Sequence, residues 1–304
     1  MKILVLGHTG FIGSNLFSRL RDMGLNVSGV SKSTGVDLRN YGEVRDCIEE
    51  HAPEVIYNVA SHGGSLHYVR EFAADVFYDN VSMALNLYQA VKEVDSSIKI
   101  IQPFSNCSYP GSSALQSEEE WLGGPVHPSV MSFGTSKRSI YYISKCFHDQ
   151  YGIRSVNLLF PNTYGPGDSD DPNKTHALNG MIIRMLEAQR AQDTEFVVWG
   201  TGSPIREWVY VDDFIEVLVQ ALQIENMEYP TNVGQEKGYS IAESAYMIKQ
   251  SIGFDGEIVF DTTKTDGDPI KILSNDKFQK YFPEVKFYEH TQGIDNTVLY
   301  YRDK

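Results

Sequence analysis

The chain has 304 residues, with 26 Lys and Arg against 40 Asp and Glu, for a formal net charge of −14 at pH 7. This acidity argues against nucleic acid or an anionic membrane surface as partner, so an anionic ligand would need a local basic cluster. The spacing of Cys47, Cys107 and Cys146 indicates neither a disulfide framework nor a metal site. No apolar run could span a bilayer and no leader is evident, so a reduced, cytoplasmic protein is expected.

The first predicted unit is a strand, a glycine-rich turn and a helix. The apolar run Ile3–Leu6 predicts a buried strand, and Gly7, Gly10 and Gly13 separate it from a helical pattern that continues to Leu20. Glycines at such a junction allow the turn and let backbone amides approach a pyrophosphate. The alternative is a plain strand–turn–helix. The position of the turn, between a strand that starts at the second residue and a helix, favours a dinucleotide site.

The second predicted strand indicates which dinucleotide binds. Asn26–Val30 ends at Ser31 and Lys32, where enzymes that prefer NAD usually place a carboxylate for the ribose 2′-hydroxyl. Small polar residues and a lysine suit a 2′-phosphate instead, so NADP(H) is predicted over NAD(H). Asp37 and Leu38 follow and are predicted to line the adenine.

Strands and helices then alternate. Predicted elements are a helix at Tyr41–Glu50, a strand at Glu54–Val59 that closes on Ala60, a helix at Asn80–Val94 and a strand at Ile98–Pro103. This order predicts a doubly wound parallel sheet of Rossmann type, with ligands outside the carboxyl ends of its strands. The predicted fold class is α/β, with a smaller α/β C-terminal substrate domain.

Several later segments carry a family pattern. They are S-N-C-S-Y-P from Ser105, the helix Ser132–Tyr151 with F-G-T-S-K, P-N-T-Y-G-P-G-D after the strand Ser155–Phe160, R-E-W-V-Y-V-D-D at Arg206–Asp213, and T-N-V-G at Thr231–Gly234. With the glycine loop, these segments resemble the extended short-chain dehydrogenase/reductases of the nucleotide-sugar epimerase/dehydratase group over nearly the whole chain.

Three further segments narrow the resemblance within that group. They are N-K-T-H-A-L-N-G-M-I-I-R-M, V-V-W-G-T-G-S-P-I-R-E and K-T-D-G-D-P-I-K-I-L. They are most similar to the NADPH-dependent members that epimerise a GDP-4-keto-6-deoxy sugar at C3 and C5 and reduce it at C4. The resemblance thus implies a 4-keto reductase of a nucleotide-linked deoxy sugar, with or without 3,5-epimerisation.

The resemblance implies a serine, a tyrosine and a lysine beside the nicotinamide, with the tyrosine as general acid and the lysine lowering its pKa. Ser105 and Lys137 match the first and last, but Phe133 stands in the tyrosine position. Tyr141 and Lys145 repeat the Tyr-x-x-x-Lys spacing eight residues later, which is about 12 Å along a helix. Tyr141 is therefore predicted to be a helix-packing or dimer-contact residue.

Two interpretations of Phe133 follow. In the first, which we prefer because the rest of the expected site is present, the chain is a deliberate Tyr→Phe variant that keeps its ligands unreacted. In the second, Phe133 is natural. Either way the chain as written is predicted to be a poor redox catalyst, since a positioned general acid contributes about 10²–10⁴ in rate.

Cys107 and His176 match the base and acid that epimerise the carbons flanking the ketone in the most similar members. Protons on those carbons are acidic, so a thiolate and an imidazole suit the task. The alternative is an inert cysteine and a surface histidine. Dehydratases of the group carry an Asp-Glu pair where this chain has Asn106 and Cys107. These two residues therefore argue against a 4,6-dehydratase.

The predicted ligand contacts come partly from the residues and partly from the resemblance. The predicted cofactor-binding residues are Gly7, Thr9, Gly10, Phe11, Ile12, Gly13, Ser31, Lys32, Asp37, Leu38, Ala60 and Lys137. The predicted substrate-binding residues are Asn162, Arg184, Trp199, Arg206 and Lys271. Asp212 and Asp213 are predicted to cap a helix at Phe214–Leu222.

The predicted cofactor domain is residues 1–166 with 205–234 returning to it, and the predicted substrate domain is residues 167–204 and 235–304. The resemblance also implies a homodimer in which the two long helices of each chain form a four-helix bundle. Two other functions stay open from the sequence: a redox-neutral 4-epimerase that retains NAD, and a catalytically dead NADP-binding sensor.

Overall fold

The structure is a computed structural model that describes residues 1–111, 115–227, 229–264 and 266–304. One position of the K-T-D-G-D-P-I-K-I-L segment, residue 265, and residues 112–114 of the polar loop lie outside the described residues. The strands are β1 (Lys2–Leu6), β2 (Asn26–Val30), β3 (Val55–Asn58), β4 (Lys99–Ser105), β5 (Leu115–Gln116), β6 (Ser155–Phe160), β7 (Asn162–Tyr164), β8 (Glu195–Trp199), β9 (Ile205–Tyr210), β10 (Thr231–Asn232), β11 (Gly238–Ser240), β12 (Glu257–Asp261) and β13 (Ile270–Leu273).

Helices cover both faces of the first sheet and form much of the C-terminal part. They are α1 (Phe11–Asp22), α2 (Tyr41–His51), α3 (Leu66–Glu71), α4 (Ala73–Val94), α5 (Met131–Tyr151), α6 (Ala177–Ala191), α7 (Val211–Gln220), α8 (Ile241–Ile252), α9 (Phe278–Tyr281) and α10 (His290–Arg302). Short 3₁₀ turns follow several strands, including one at Asn106–Ser108 directly after β4.

The predicted Rossmann-type sheet is confirmed. Six strands lie in the order β10-β6-β4-β3-β1-β2, and every pair in it is parallel. The central strands are apolar on both faces, as expected where helices cover both sides. In β1, for example, Leu4 and Val5 point to opposite faces and both are fully buried. The sheet therefore brings the ends of β1, β3 and β4 to one edge.

The C-terminal part has smaller sheets. One has the order β11-β9-β13-β5, with β7 also paired to β9, and the other pairs β12 with β8. Helices α6, α8 and α10 pack against one another beside them. The short strand β10 pairs with β6 and so belongs to the first sheet, whereas β9 belongs to the second.

Three local predictions differ from the structure. The helix predicted from Asn80 begins earlier, at Ala73, and only Phe72 separates it from α3. Asp212 and Asp213 do not cap a helix, because α7 begins at Val211 and places both carboxylates in its first turn. Their negative charge there interacts favourably with the positive end of the helix dipole.

The third difference concerns Lys271, which the sequence predicts in a loop but which lies within β13.

Among the described residues, no helix has both the length and the apolarity to cross a bilayer. Within the same ranges, no three or more His, Cys, Asp or Glu side chains are grouped as metal ligands would be.

Candidate functional site

The glycine turn between β1 and α1 has the geometry of a phosphate-binding loop. Gly7 has φ +84°, a left-handed conformation that glycine adopts without strain. A Cβ on Gly13 would lie 2.0 Å from the Gly7 carbonyl oxygen, so only glycine lets the helix approach the turn this closely. Gly10 is the N-cap of α1 and no side chain caps this helix end. The first-turn amides therefore suit an anionic ligand.

A cluster of hydroxyl groups lies at the carboxyl end of β2. The Thr9 hydroxyl is 3.0 Å from those of Ser31 and Ser33, which are 2.9 Å apart. Lys32 lies in the same turn and is exposed, with its ammonium 3.8 Å from the Asp37 carboxylate. Hydroxyl donors with a cation suit a ribose phosphate, as the sequence predicted for this strand end.

Arg39, which the sequence analysis did not single out, binds the Asp37 carboxylate. Its guanidinium donates to both carboxylate oxygens of Asp37, at 2.9 and 2.6 Å, and to Asp79 at 3.2 Å. The bond from Arg39 lowers the pKa of Asp37 to about 2. Asp37 is therefore neutralised by Arg39 and does not repel a phosphate. An Arg two residues after an Asp is a common surface pair and carried no distinct signal.

Lys137 projects from α5 into a buried position. Its ammonium donates to the Ser61 hydroxyl at 3.2 Å, and Ser61 donates in turn to Asn80 at 3.1 Å. It lines a small cavity with Ala60 and Phe104, next to the ends of β3 and β4. Burial lowers the pKa of Lys137 to about 8. Among the described residues the ammonium thus has one side-chain acceptor, the Ser61 hydroxyl.

Phe133 lies one helical turn before Lys137, and the Lys137 ammonium is 5.1 Å from the centre of its ring. A Cβ added to Gly63 would lie 3.1 Å from that ring, so the loop after β3 passes directly over it. By contrast, Tyr141 is buried against Trp121 and Lys145 pairs with Asp149 at the surface. The side chain beside the buried lysine is therefore an aromatic ring without a hydroxyl.

The turn after β4 carries Ser105 and Cys107. The Ser105 hydroxyl accepts from the Cys107 amide at 3.2 Å. Helix α5 packs tightly on this turn, since a Cβ on Gly134 would lie 2.3 Å from the Cys107 carbonyl oxygen. Arg138 of the same helix donates to the Ser108 carbonyl at 2.6 Å. The structure therefore brings the Ser105–Cys107 turn against the part of α5 that carries Phe133 and Lys137.

His176 stands just before α6 and is held by Asp168. Its Nδ1 lies 3.1 Å from both carboxylate oxygens of Asp168. Burial alone would raise the pKa of Asp168, but the hydrogen bond and charge of His176 outweigh it and lower that pKa. The His176 ring also lies 5.5 Å from that of Phe11 in the glycine loop. Sequence reasoning missed Asp168, which fixes the tautomer and orientation of the imidazole.

Arg206 and Lys271 are brought together by strand pairing. They are register partners in the parallel pair β9–β13, so their side chains leave the same face of that sheet. The Arg206 guanidinium interacts electrostatically with Asp268 and Asp266, and Cys107 of the turn after β4 lies in the same neighbourhood. Asn162 donates to the Glu207 carbonyl at 3.2 Å, on the adjacent strand β7. Two cations from separate segments thus form the local basic cluster that an anionic ligand of this acidic chain requires.

Two predicted substrate residues, Arg184 and Trp199, lie away from the Arg206–Lys271 pair. Arg184 is exposed on α6 and its guanidinium stacks 5.3 Å from the Phe196 ring centre. Trp199 ends β8 and its side chain is 70% exposed. The structure places neither residue in contact with Arg206 or Lys271 among the described side chains.

Comparisons with known proteins agree with this geometry. The model of a family described as "NAD dependent epimerase/dehydratase family" matches residues 3–234. "Probable GDP-L-fucose synthase 1" of Oryza sativa is 29% identical over 303 residues, which cover 99% of this chain and 92% of that protein. A "GDP-L-fucose synthase" of Sinorhizobium fredii is 30% identical over 278 residues, which cover 91% and 88%.

A solved structure extends the agreement to three dimensions. The GDP-L-fucose synthetase of Naegleria fowleri bound to NADP superposes with a TM-score of 0.85 at 27% identity, over 99% of this chain and 92% of that one. Fold, glycine loop and strand-end site thus lead to one assignment. The chain belongs to the NAD dependent epimerase/dehydratase family, among the extended short-chain dehydrogenase/reductases that act on nucleotide sugars.

Proposed function

We propose that this protein is an NADP(H)-dependent 4-keto reductase of a nucleotide-linked deoxy sugar such as a GDP-4-keto-6-deoxyhexose, with 3,5-epimerisation at the same site. The observation that carries the proposal is the buried Lys137 ammonium, whose one side-chain acceptor among the described residues is the Ser61 hydroxyl, on a helix whose Gly134 packs against the turn that holds Ser105 and Cys107. A buried cation with few partners is unfavourable unless a ligand completes its surroundings.

The cofactor is NADP(H), held by the residues at the ends of β1 and β2. The first-turn amides of α1 fit the pyrophosphate, and the Thr9, Ser31 and Ser33 hydroxyls with Lys32 fit the 2′-phosphate. When bound, the reduced nicotinamide supplies a hydride to the carbonyl carbon. Lys137 would hold the nicotinamide ribose, and Ser105 would donate a hydrogen bond to the carbonyl oxygen.

The nucleotide diphosphate would lie against Arg206 and Lys271. Arginine suits a diphosphate because its planar guanidinium can donate two parallel hydrogen bonds. Asn162 would contact the sugar, and the resemblance adds Arg184 and Trp199, which lie away from the Arg206–Lys271 pair, as candidate contacts of the nucleotide. These roles follow the family resemblance together with the strand pairing of β9 and β13.

The test incubates the purified chain and its Phe133→Tyr form with NADPH and a panel of 4-keto nucleotide sugars, and follows loss of reduced-cofactor absorbance. Turnover with one GDP-linked member supports the proposal. A protein that purifies with tightly held NAD and interconverts 4-hydroxy sugars without net oxidation would be the redox-neutral 4-epimerase instead. NADPH binding with no turnover by either form would leave the sensor interpretation.

Epimerisation should depend on Cys107. In the Phe133→Tyr background, Cys107→Ser should reduce deuterium uptake from D₂O at the carbons flanking the ketone by about 10²-fold, because a positioned base is lost. Mass spectrometry of the sugar measures this uptake. Cys146→Ser, which changes an exposed cysteine on α5, is the matched control. Unchanged uptake in the Cys107 variant would remove the thiol from the proposed chemistry.

The homodimer is proposed on the outer faces of α4 and α5. These helices pack side by side and expose large side chains: Tyr78 is 68%, Leu85 45% and Tyr142 52% exposed. Covering such apolar groups favours a helix-to-helix interface with a second copy. Light scattering should give twice the chain mass, and Leu85→Glu should give a monomer. Val197→Glu, at an equally exposed apolar residue of β8, should leave the dimer intact, and a monomeric native chain would contradict the proposal.

A further inference from the structure

Three side chains, one of them on the loop that passes over Phe133, form a hydrogen-bonded chain that the proposed function does not use. His62 Nδ1 lies 2.8 Å from the Asp79 carboxylate, and His62 Nε2 lies 2.9 Å from the Tyr68 hydroxyl. A carboxylate only accepts, so Nδ1 carries a proton and the neutral ring accepts the Tyr68 proton at Nε2. The arrangement resembles other pairs in which a carboxylate orients an imidazole toward a hydroxyl group.

The loop that carries His62 is fixed to the Lys137 site. Ser61, its neighbour, accepts from the Lys137 ammonium at 3.2 Å. Asn80 accepts from the His62 amide at 3.0 Å and donates to the His62 carbonyl at 2.7 Å. Gly63 then passes over the Phe133 ring. His62 is thus anchored by both its backbone groups and its ring, one residue from the lysine's partner.

Tyr68 is placed on the same side of the molecule by two other contacts. The Ser132 hydroxyl donates to the Val69 carbonyl at 2.9 Å, which ties α3 to the residue before Phe133. A Cβ on Gly64 would lie 2.8 Å from the Tyr68 ring and 2.7 Å from the Asn173 carbonyl oxygen. The Tyr68 ring therefore packs on Gly64, which follows the glycine on the Phe133 ring and also borders the segment that leads to His176.

We propose that Tyr68 protonates the substrate carbonyl oxygen in place of the tyrosine that is missing at position 133, and that His62 and Asp79 supply its proton. The proposal rests on the proposed reductase function. In the step, the carbonyl carbon accepts the hydride that NADPH supplies, and the carbonyl oxygen takes the Tyr68 hydroxyl proton. Before this transfer His62, which is partly exposed, takes a proton from solvent at Nε2; Tyr68 then regains its proton from Nε2, and His62 returns to its neutral form.

The relay requires the His62 ring with a proton on both nitrogens. Once Nε2 carries a proton, it donates to the Tyr68 oxygen, and the Tyr68 hydroxyl proton is free to point into the cleft. Asp79 holds the ring through Nδ1, and Arg39 in turn donates to Asp79 at 3.2 Å and keeps that carboxylate in place. Tyr68 is thus the catalytic residue. His62 supplies its proton, and Asp79 and Arg39 hold His62 in position.

The test is a double-mutant comparison of Tyr68→Phe in two backgrounds: the chain with Phe133, called the native chain here for either origin of Phe133, and Phe133→Tyr. Tyr68→Phe removes one hydroxyl group and leaves the ring that packs on Gly64. In the native chain it should lower kcat by about tenfold or more, because the general acid is lost. In the Phe133→Tyr background it should change kcat by less than about twofold, since the introduced tyrosine then carries the proton. The dissociation constant of NADPH, from cofactor fluorescence, should be equal in all four proteins.

His62→Gln supplies a second variant, because glutamine can still bond to Asp79 but cannot relay a proton. It should show the same dependence on background. An equal loss in both backgrounds would mean that Tyr68 and His62 only support the structure, and no loss in the native chain would overturn the proposal. So would a native chain without turnover beside an active Phe133→Tyr form. If neither background reduces any 4-keto sugar, the reductase function itself has failed.

Discussion

Phe133→Tyr should raise NADPH-dependent turnover of the 4-keto nucleotide sugar by about 10²-fold, near the lower end of what a positioned general acid contributes. The new hydroxyl would extend from a ring whose centre is 5.1 Å from the Lys137 ammonium. A neighbouring cation stabilises a phenolate and lowers the tyrosine pKa toward neutrality. We expect the lower end because the Tyr68 relay already supplies part of the protonation in the native chain.

The effect should fall on kcat and leave NADPH affinity unchanged, since the cofactor contacts come from other residues. Initial rates of absorbance loss at saturating cofactor measure it. Phe133→Leu is the matched control: it removes the aromatic ring without adding a hydroxyl, and its rate should stay at or below that of the native chain. Equal rates for the tyrosine and phenylalanine forms would show that residue 133 does not occupy the general-acid position.

The part of this site that could be predicted from the sequence is the part built from local segments. The strand–glycine–helix unit lies within residues 2–22, and its φ requirement at Gly7 is local. Lys137 and Ser105 are predicted from their positions within family segments. Fold class followed from the alternation of apolar strands with helices, because each strand–helix–strand unit has one preferred handedness.

The rest depends on contacts between distant residues that no periodic pattern encodes. Ser61 accepts a hydrogen bond from Lys137, which lies 76 positions later in the sequence. Lys271 meets Arg206 only because β13 pairs with β9 in one register. His62 and Tyr68 are close in sequence, but the loop between them is held toward α5 by distant residues, including Asn80 and Lys137. In the sequence these residues are an unremarkable histidine and a tyrosine in a polar stretch.

Lys137→Met should produce opposite effects on activity and stability. Activity in the Phe133→Tyr background should fall by about 10²-fold or more, because the ammonium both holds the ribose and lowers the pKa of the acid. The unliganded protein should become more stable at pH 7. In the native chain, burial lowers the pKa of Lys137 from 10.5 to about 8, so the folded state holds its proton less tightly than the unfolded state does.

The sign of the pH dependence follows from that difference. Between about pH 8 and 10.5 the unfolded chain binds more protons at this group, so its unfavourable contribution to folding, about 3 kcal/mol below pH 8, declines as pH rises. Lys137→Met should recover about 1–3 kcal/mol of unfolding free energy at pH 7 and remove this part of the rise in stability above pH 8.

Urea unfolding of the cofactor-free proteins at pH 7 and pH 9.5 measures both effects. Lys145→Met is the matched control on the same helix, where the ammonium is exposed and pairs with Asp149 at 3.0 Å. Its stability should change by less than about 0.5 kcal/mol at either pH, because exposed ion pairs contribute little. A Lys137→Met protein less stable than the native chain at pH 7 would mean that the protein already satisfies the ammonium. The conclusion that this buried cation is held ready for a ligand would then be wrong.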